Sequence, residues 1–338
     1  MGGKALKGEH TITRRYLRDE FHTISIELID ILKKTFVRVD MPKFYSGKES
    51  FGDADILVLK NETLNMREYI QATFNPIEIF HNGSCWSFDY KELQVDLIVA
   101  EPEWYLTNLH YYGMNDMGNH IGRFAHRFGL KYGSEGLWYE HYFKGQNIGT
   151  IYVSQDQRKI YEFLGLSYDR YLQGFSTLED IFSFVAESPY FNWKMFQLES
   201  LNKINRDRNA KRSSYISFLK WIDENVRNEE HECPIAEDKS IYLKSIMEHF
   251  PEAEIEKNIR RMEYEECKKL YARSKFNGGI LIEKYGILPK DLGRIIEGFK
   301  PWVIDEHYET FEEFVIKTPE DLIYKYFQNY LSKLYENK

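Results

Sequence analysis

Three aspartates in the first hundred residues carry the strongest chemical signal in the sequence. Asp53 and Asp55 stand at i and i+2 in Ser46-Gly47-Lys48-Glu49-Ser50-Phe51-Gly52-Asp53-Ala54-Asp55-Ile56-Leu57-Val58, at the head of an apolar run. Side chains alternate between the two faces of a strand, so both carboxylates project the same way. Asp96 lies inside Val95-Asp96-Leu97-Ile98, where an unpaired charge costs several kcal/mol. If its strand runs beside the Asp53/Asp55 strand, roughly 4.8 Å away, the three acids converge and a bound cation offsets that cost. Hard oxygen ligands of this kind suit Mg²⁺ or Mn²⁺. Two such ions about 3.5–4 Å apart serve in-line phosphoryl displacement, one activating the attacking hydroxyl and one holding a triphosphate. Gly47 and Gly52 flank the preceding turn, with Ser50 between them, where backbone N–H groups can approach phosphate oxygens. Taken alone, Gly-Asp-Ala-Asp also reads as a loop entering a solvated strand; the buried third aspartate weighs against that reading.

Such a cluster requires a sheet with helices on it. Leu17, Phe21, Ile24, Leu28 and Ile31 recur at spacings of three and four, which predicts an amphipathic helix within 13–34. Short β-type runs follow at 36–39, 55–59, 77–80, 85–88 and 93–99, with a helix over 66–74 and an Asn82-Gly83 turn expected to close a hairpin. Residues 103–128 read as helical, and a second hairpin is expected over 137–153, turning at 144–147. The first hundred residues are therefore expected to be α+β, a mixed sheet with helices layered on it. Beyond about residue 174 the alternation disappears and 3.6-residue periodicity dominates, at 196–205, 215–226, 241–249, 253–272 and 322–335. A boundary is expected at 170–190.

The chain has 338 residues, enough for two domains at roughly 150 each. Its 45 Lys+Arg and 53 Asp+Glu give a net charge of −8, which excludes a protein that coats nucleic acid through bulk charge but leaves room for a local basic groove. Three unevenly spaced cysteines, Cys85, Cys233 and Cys267, exclude a disulfide framework and point to a reducing, cytoplasmic setting. No run approaches ~20 apolar residues, and Met1-Gly2-Gly3-Lys4 leads into polar sequence, so neither a membrane span nor a secretory leader is expected.

The segment 46–57 resembles the palm motif of the DNA polymerase β-like nucleotidyltransferases, especially the family X polymerases, with Val95-Asp96-Leu97 as the third-carboxylate strand. Downstream, Tyr111-Tyr112-Gly113, Asp116, Asn119, Arg123 and Ala125 resemble the family's nucleotide pocket, and Tyr152-Val153-Ser154 with 161–166 resemble the rest of its last subdomain. The likeness covers roughly residues 35–172. It implies that Asp53, Asp55 and Asp96 are catalytic metal ligands for two Mg²⁺ or Mn²⁺ ions, with Asp96 nearest an attacking 3′-hydroxyl. It further implies that the backbone of Tyr111 and Tyr112 lies on the sugar, Asp116 along the base, Asn119 at the base edge and Arg123 at the minor groove beside it. The implied organisation is a palm domain at 1–110, a nucleotide-binding subdomain at 111–174 and a helical domain at 175–338. The chain departs from the pattern in two places: Pro42-Lys43 stands where the family has Gly-Ser, and Ser46 where a phosphate-binding Arg is common. Lys43 or Lys48 can supply the missing positive charge. About 35 residues precede the palm-like segment, so the polymerases' amino-terminal DNA-binding and lyase domain is not expected.

In the helical half, Lys203, Arg206, Arg208, Lys211 and Arg212 surround a single acid, Asp207. Such a patch can neutralise phosphates of an acceptor nucleic acid, with Tyr215 or Trp221 stacking on a base; a solvated helix end is the competing reading. Residues 275–296 weakly resemble the helical tail of bacterial tRNA nucleotidyltransferases and poly(A) polymerases. The expectation is a metal-dependent enzyme that adds nucleotides from an NTP or dNTP to a nucleic-acid 3′-hydroxyl, leaning to an RNA or tRNA-like end. A family X-like DNA polymerase or terminal transferase, a protein AMP-transferase and an inactive regulatory protein are the alternatives.

Overall fold

The apolar stripe expected within 13–34 folds as a helix that covers one face of a sheet. The structure, a computed structural model, describes residues 5–304 and 308–336. Met1-Gly2-Gly3-Lys4, on which the expectation about a leader rests, lie outside the described residues. The chain divides into two units, one running to Glu140 and resuming over Thr150–Ala253, the other made of His141–Gly149 with the chain from Glu254 onward. No helix among the described residues is long and apolar enough to cross a membrane.

In the first unit, β1 (Tyr16–Leu17) leads directly into α1 (Arg18–Leu32), whose Phe21, Ile24, Leu28 and Leu32 are buried. There follow β2 (Val39–Asp40), β3 (Ser50–Phe51), β4 (Asp53–Leu59) and α2 (Met66–Phe74). Asn65 caps α2 by accepting the Glu68 N–H, and Asn75 ends it in the left-handed region at φ 46°. Next, β5 (Ile79–Asn82) and β6 (Cys85–Tyr90) form the expected hairpin, with Gly83 at φ +60°, a conformation glycine adopts without strain. β7 (Leu93–Ala100) completes a mixed five-stranded sheet in the order β2-β4-β7-β6-β5. Its one parallel pair is β4 with β7, and the remaining pairs are antiparallel.

Period-two alternation then sorts the residues. Ala54, Ile56 and Val58 of β4 and Val95 and Leu97 of β7 join α1 and α2 in the main core. The opposite face carries Asp53 and Asp55 from β4 and Asp96 from β7, and continues as Leu57, Ile98 and Ala100, closed over by Tyr105 of α3 (Tyr105–Tyr111). The acids thus occupy the open end of a face whose other end is packed.

After α3 come α4 (Met117–Arg127) and a three-stranded sheet of β8 (Leu130–Gly133), β9 (Gly136–Phe143) and β10 (Gln146–Ser154), ordered β10-β9-β8. The helices α5 (Gln157–Phe163), α6 (Tyr168–Gln173), α7 (Leu178–Ala186), α8 (Lys203–Asn209), α9 (Ser213–Asn225) and α10 (Leu243–His249) follow. The helix expected over 196–205 starts only at Lys203, because the Asn202 side chain accepts the Asn205 N–H and sets an N-cap there. Two short 3₁₀ turns precede it.

The composition shift at 170–190 is not where the units divide. Tyr215, Phe218 and Ile222 of α9 are fully buried; the Phe218 ring lies 5.0 Å from Phe182 of α7, 5.1 Å from Phe196 and 4.3 Å from His120 of α4. The apolar face of α9 therefore belongs to the core of the first unit. The second unit contains α11 (Ile255–Lys275), α12 (Gly278–Tyr285), α13 (Pro289–Val303), α14 (Phe311–Lys317) and α15 (Glu320–Glu336) around Phe276, Leu281, Phe299, Phe314 and Phe327.

Burial separates two neighbours on α1 as a test of this core. Leu28→Ala, at a fully buried position, is expected to lower unfolding free energy by about 2–5 kcal/mol, whereas Ile26→Ala, half exposed, is expected to change it by about 0.5 kcal/mol or less. Chemical denaturation of the two variants checks this.

Candidate active site

The parallel register of β4 and β7 sets Asp55 directly opposite Asp96 and Asp53 opposite Gln94. Each of the three aspartates offers a carboxylate oxygen within 4.8 Å of the others. They are half-buried, and the three carboxylates offer oxygen ligands, a donor set that fits a hard divalent cation such as Mg²⁺ or Mn²⁺. Their electrostatics agree. Burial, reinforced by the charges of Asp53 and Asp96, raises the Asp55 carboxyl well above the usual range. Burial and the Asp53 charge push Asp96 up to about 6, against hydrogen bonds from Ser87 and Gln94 that pull it down. Ser87 faces Asp96 across the β6–β7 register, and the Gln94 Nε2 lies 2.9 and 3.0 Å from the two Asp96 oxygens.

The acids open into a cavity of about 930 Å³. Gly47, Ser50 and Gly52 line it on one side. The Gly47 N–H is already engaged, donating to the Ser176 carbonyl at 2.8 Å, and a Cβ there would stand 2.5 Å from that oxygen. Glycine at 47 thus permits a close backbone approach and does not leave a donor for phosphate. Positive charge reaches this wall from two residues. Lys48 sits with its Nζ 4.6 Å from the Phe51 ring centre; burial lowers its pKa while Asp53 and Asp55 hold the charge in place. Arg15 is anchored on Ser50, donating to the carbonyl at 2.8 Å and to the hydroxyl at 3.0 and 3.2 Å. Lys43, the other expected phosphate partner, is exposed and lines a separate groove with Phe44, Met114 and Phe175.

Tyr111, Tyr112, Asp116 and Asn119 line the same cavity as the acids. The two tyrosine rings meet edge to face at 5.2 Å, and burial raises the Tyr112 hydroxyl pKa. Asp116 pairs with Arg212 at 2.5 Å and accepts the Ser214 hydroxyl. Asn119 accepts from Arg208 at 3.0 Å and donates to Asn209 at 3.2 Å. Arg123 is directed elsewhere, donating twice to the Met195 carbonyl at 2.7 and 3.1 Å.

The expected basic patch is divided by these bonds. Arg212 lines the cavity beside Ser213, Ser214 and Ser217, and Arg208 is tied to Asn119. Arg206 caps the Leu198 and Leu201 carbonyls, and only Lys203 and Lys211 stay exposed without such an anchor. Sequence reasoning missed Arg15, Gln94 and the serines at the head of α9. Gln94 alone left a signal, a polar residue two positions before a buried aspartate. No protein-family model matches this chain, and comparison with curated proteins finds no match.

A carboxyl with a raised pKa binds more protons folded than unfolded. The ion-free protein therefore loses stability as pH rises from the ordinary carboxylate range, about 4, through about 6, and a cation that requires the ionised form recovers it. Millimolar Mn²⁺ is accordingly expected to raise the melting temperature more at about pH 7.5 than at about pH 5. Equal increments at both pH values, read by differential scanning fluorimetry, contradict the assignment.

Proposed function

We propose that the protein is a metal-dependent nucleotidyltransferase that adds nucleotides from an NTP or dNTP to a nucleic-acid 3′-hydroxyl, with an RNA or tRNA-like end as the favoured acceptor. One observation carries the reading: Asp53, Asp55 and Asp96, held in register, converge at a cavity large enough for a nucleotide and lined by Lys48 and Arg15. The ordered likeness of residues 46–57, 95–97 and 111–125 to family X polymerases points the same way.

In this reaction the acceptor oxygen forms a bond to the α-phosphorus, the bond from that phosphorus to the bridging oxygen breaks, and pyrophosphate leaves. Bound divalent ions supply charge neutralisation at the triphosphate and lower the pKa of the attacking hydroxyl. Asp53, Asp55 and Asp96 would hold those ions, and Asp96, opposite Asp55 across the strand pair, is placed to take the hydroxyl proton. Lys48 and Arg15 neutralise phosphate oxygens, replacing the arginine that Ser46 displaces from the family pattern. Tyr111 and Tyr112 give the sugar an apolar wall, while Asp116 and Arg212 present an acceptor and a donor to the base. Transfer of this kind depends on positioning and charge neutralisation and needs no covalent intermediate.

The test incubates labelled NTPs and dNTPs with Mg²⁺ and a panel of tRNA, single-stranded RNA, primer–template DNA and protein. Extension of RNA 3′ ends is expected, with Asp96→Asn slower by about 10³-fold or more. Extension of primer–template DNA alone transfers the reading to a DNA polymerase, labelled protein transfers it to an AMP-transferase, and equal labelling by wild type and Asp96→Asn removes it.

A further inference from the structure

The residue that fixes Asp96 is an uncharged one that no motif identifies. Gln94 stands two positions earlier on β7, on the same face, and is 1% exposed. Its Nε2 contacts both Asp96 oxygens, at 2.9 and 3.0 Å, and its Oε1 accepts the Ala5 N–H at 2.9 Å. Both partners demand the same amide orientation, because a carboxylate accepts only from the NH₂ end and a backbone N–H donates only to the oxygen. A buried amide engaged at both ends has one conformation, and it passes that constraint to the Asp96 carboxylate. Lone pairs of Asp96 remain for an ion, since a carboxylate has about four acceptor sites.

We propose that Gln94 is the positioning residue for Asp96, and that the backbone N–H of Ala5 completes the device, making the segment ahead of α1 a working part of the active site. This rests on the nucleotidyltransferase reading above. The segment is retained by bonds that do not involve Gln94. The Lys7 and Gly8 N–H groups donate to the Glu78 carboxylate at 3.1 and 2.8 Å, the Arg14 N–H donates to the Glu92 carbonyl at 2.8 Å, and Tyr16 pairs with Phe51. The same segment delivers Arg15 to Ser50. Removing the single Ala5 hydrogen therefore leaves the segment in place while freeing one end of the amide.

The experiment compares the full chain with Gln94→Met, Ala5→Pro and the double variant, by Mn²⁺ titration followed by electron paramagnetic resonance and by steady-state kinetics. Proline at 5 deletes the N–H, and methionine at 94 keeps the volume without the amide. Gln94→Met is expected to weaken Mn²⁺ binding and lower kcat by about 10–100-fold, in the range seen when a group that orients a metal ligand is lost, with KM for the nucleotide changed by about twofold or less. Ala5→Pro is expected to act in the same direction by a smaller factor, and to add nothing once Gln94 is gone, because coupled residues are non-additive. Unchanged Mn²⁺ affinity in Gln94→Met overturns the proposal, as does an Ala5→Pro effect that multiplies in full on the Gln94→Met background. If Gln94→Met does not fold, Ala5→Pro alone decides: undiminished Mn²⁺ affinity and kcat refute the device. Absence of nucleotidyl transfer by the wild type refutes the enzymatic reading, while the Mn²⁺ titration still decides the role of Gln94.

Discussion

Two parallel strands force three negative charges together, and the first unit is organised around that conflict. The β4–β7 register places Asp55 against Asp96, with Asp53 on the same face, and the ladder cannot slip by one residue without turning Ile56, Val58 and Leu97 out of the core. At about 4.8 Å and an effective dielectric of about 20, each pair of ionised carboxylates repels by about 3–4 kcal/mol. Full burial of one aliphatic side chain contributes about 1.5–3 kcal/mol, and β4 and β7 bury several. The fold therefore imposes the cluster without relieving it. Relief comes from protons, towards which burial and mutual repulsion drive Asp55 and Asp96, or from a divalent ion.

Neutral donors orient the acids while cations stay at the edge. Gln94 and Ser87 touch Asp96 from within the sheet, whereas Lys48 and Arg15 stand along the turn before β4. A guanidinium beside Asp96 would satisfy its charge and compete with an ion; an amide holds the carboxylate without neutralising it. Across the cavity, Asp116 with Arg212 and Asn119 with Arg208 join α4 to the chain around α8 and α9. Asp116 and Asn119, assigned to a nucleotide by the family resemblance, and Arg208 and Arg212, assigned to an acceptor by the basic run, thus form one hydrogen-bonded wall.

The acid cluster was legible because a two-residue period and a charge in an apolar run are local signals. The helix over Met66–Phe74 and the hairpin at Gly83 were legible for the same reason. Contacts remote in sequence were not. Ala5 meets Gln94 across 89 positions and Arg212 meets Asp116 across 96, and neither pairing leaves a periodic trace. Gly47 was read as a backbone donor for phosphate, whereas its N–H goes to the Ser176 carbonyl, which only the fold brings near. The basic run at 203–212 shows the same limit, since composition displays charges while geometry assigns Arg206 to carbonyl capping and Arg208 to Asn119. The α9 helix likewise has the period of a separate helical region, and its buried aromatic face places it in the first unit.

By this account the β4–β7 register builds a divalent-cation centre. Anomalous diffraction from crystals soaked in Mn²⁺ measures this most directly. Density bridging the carboxylates of Asp53, Asp55 and Asp96, lost in Asp55→Asn, is the predicted result; Mn²⁺ bound elsewhere with the three carboxylates left unligated would contradict it.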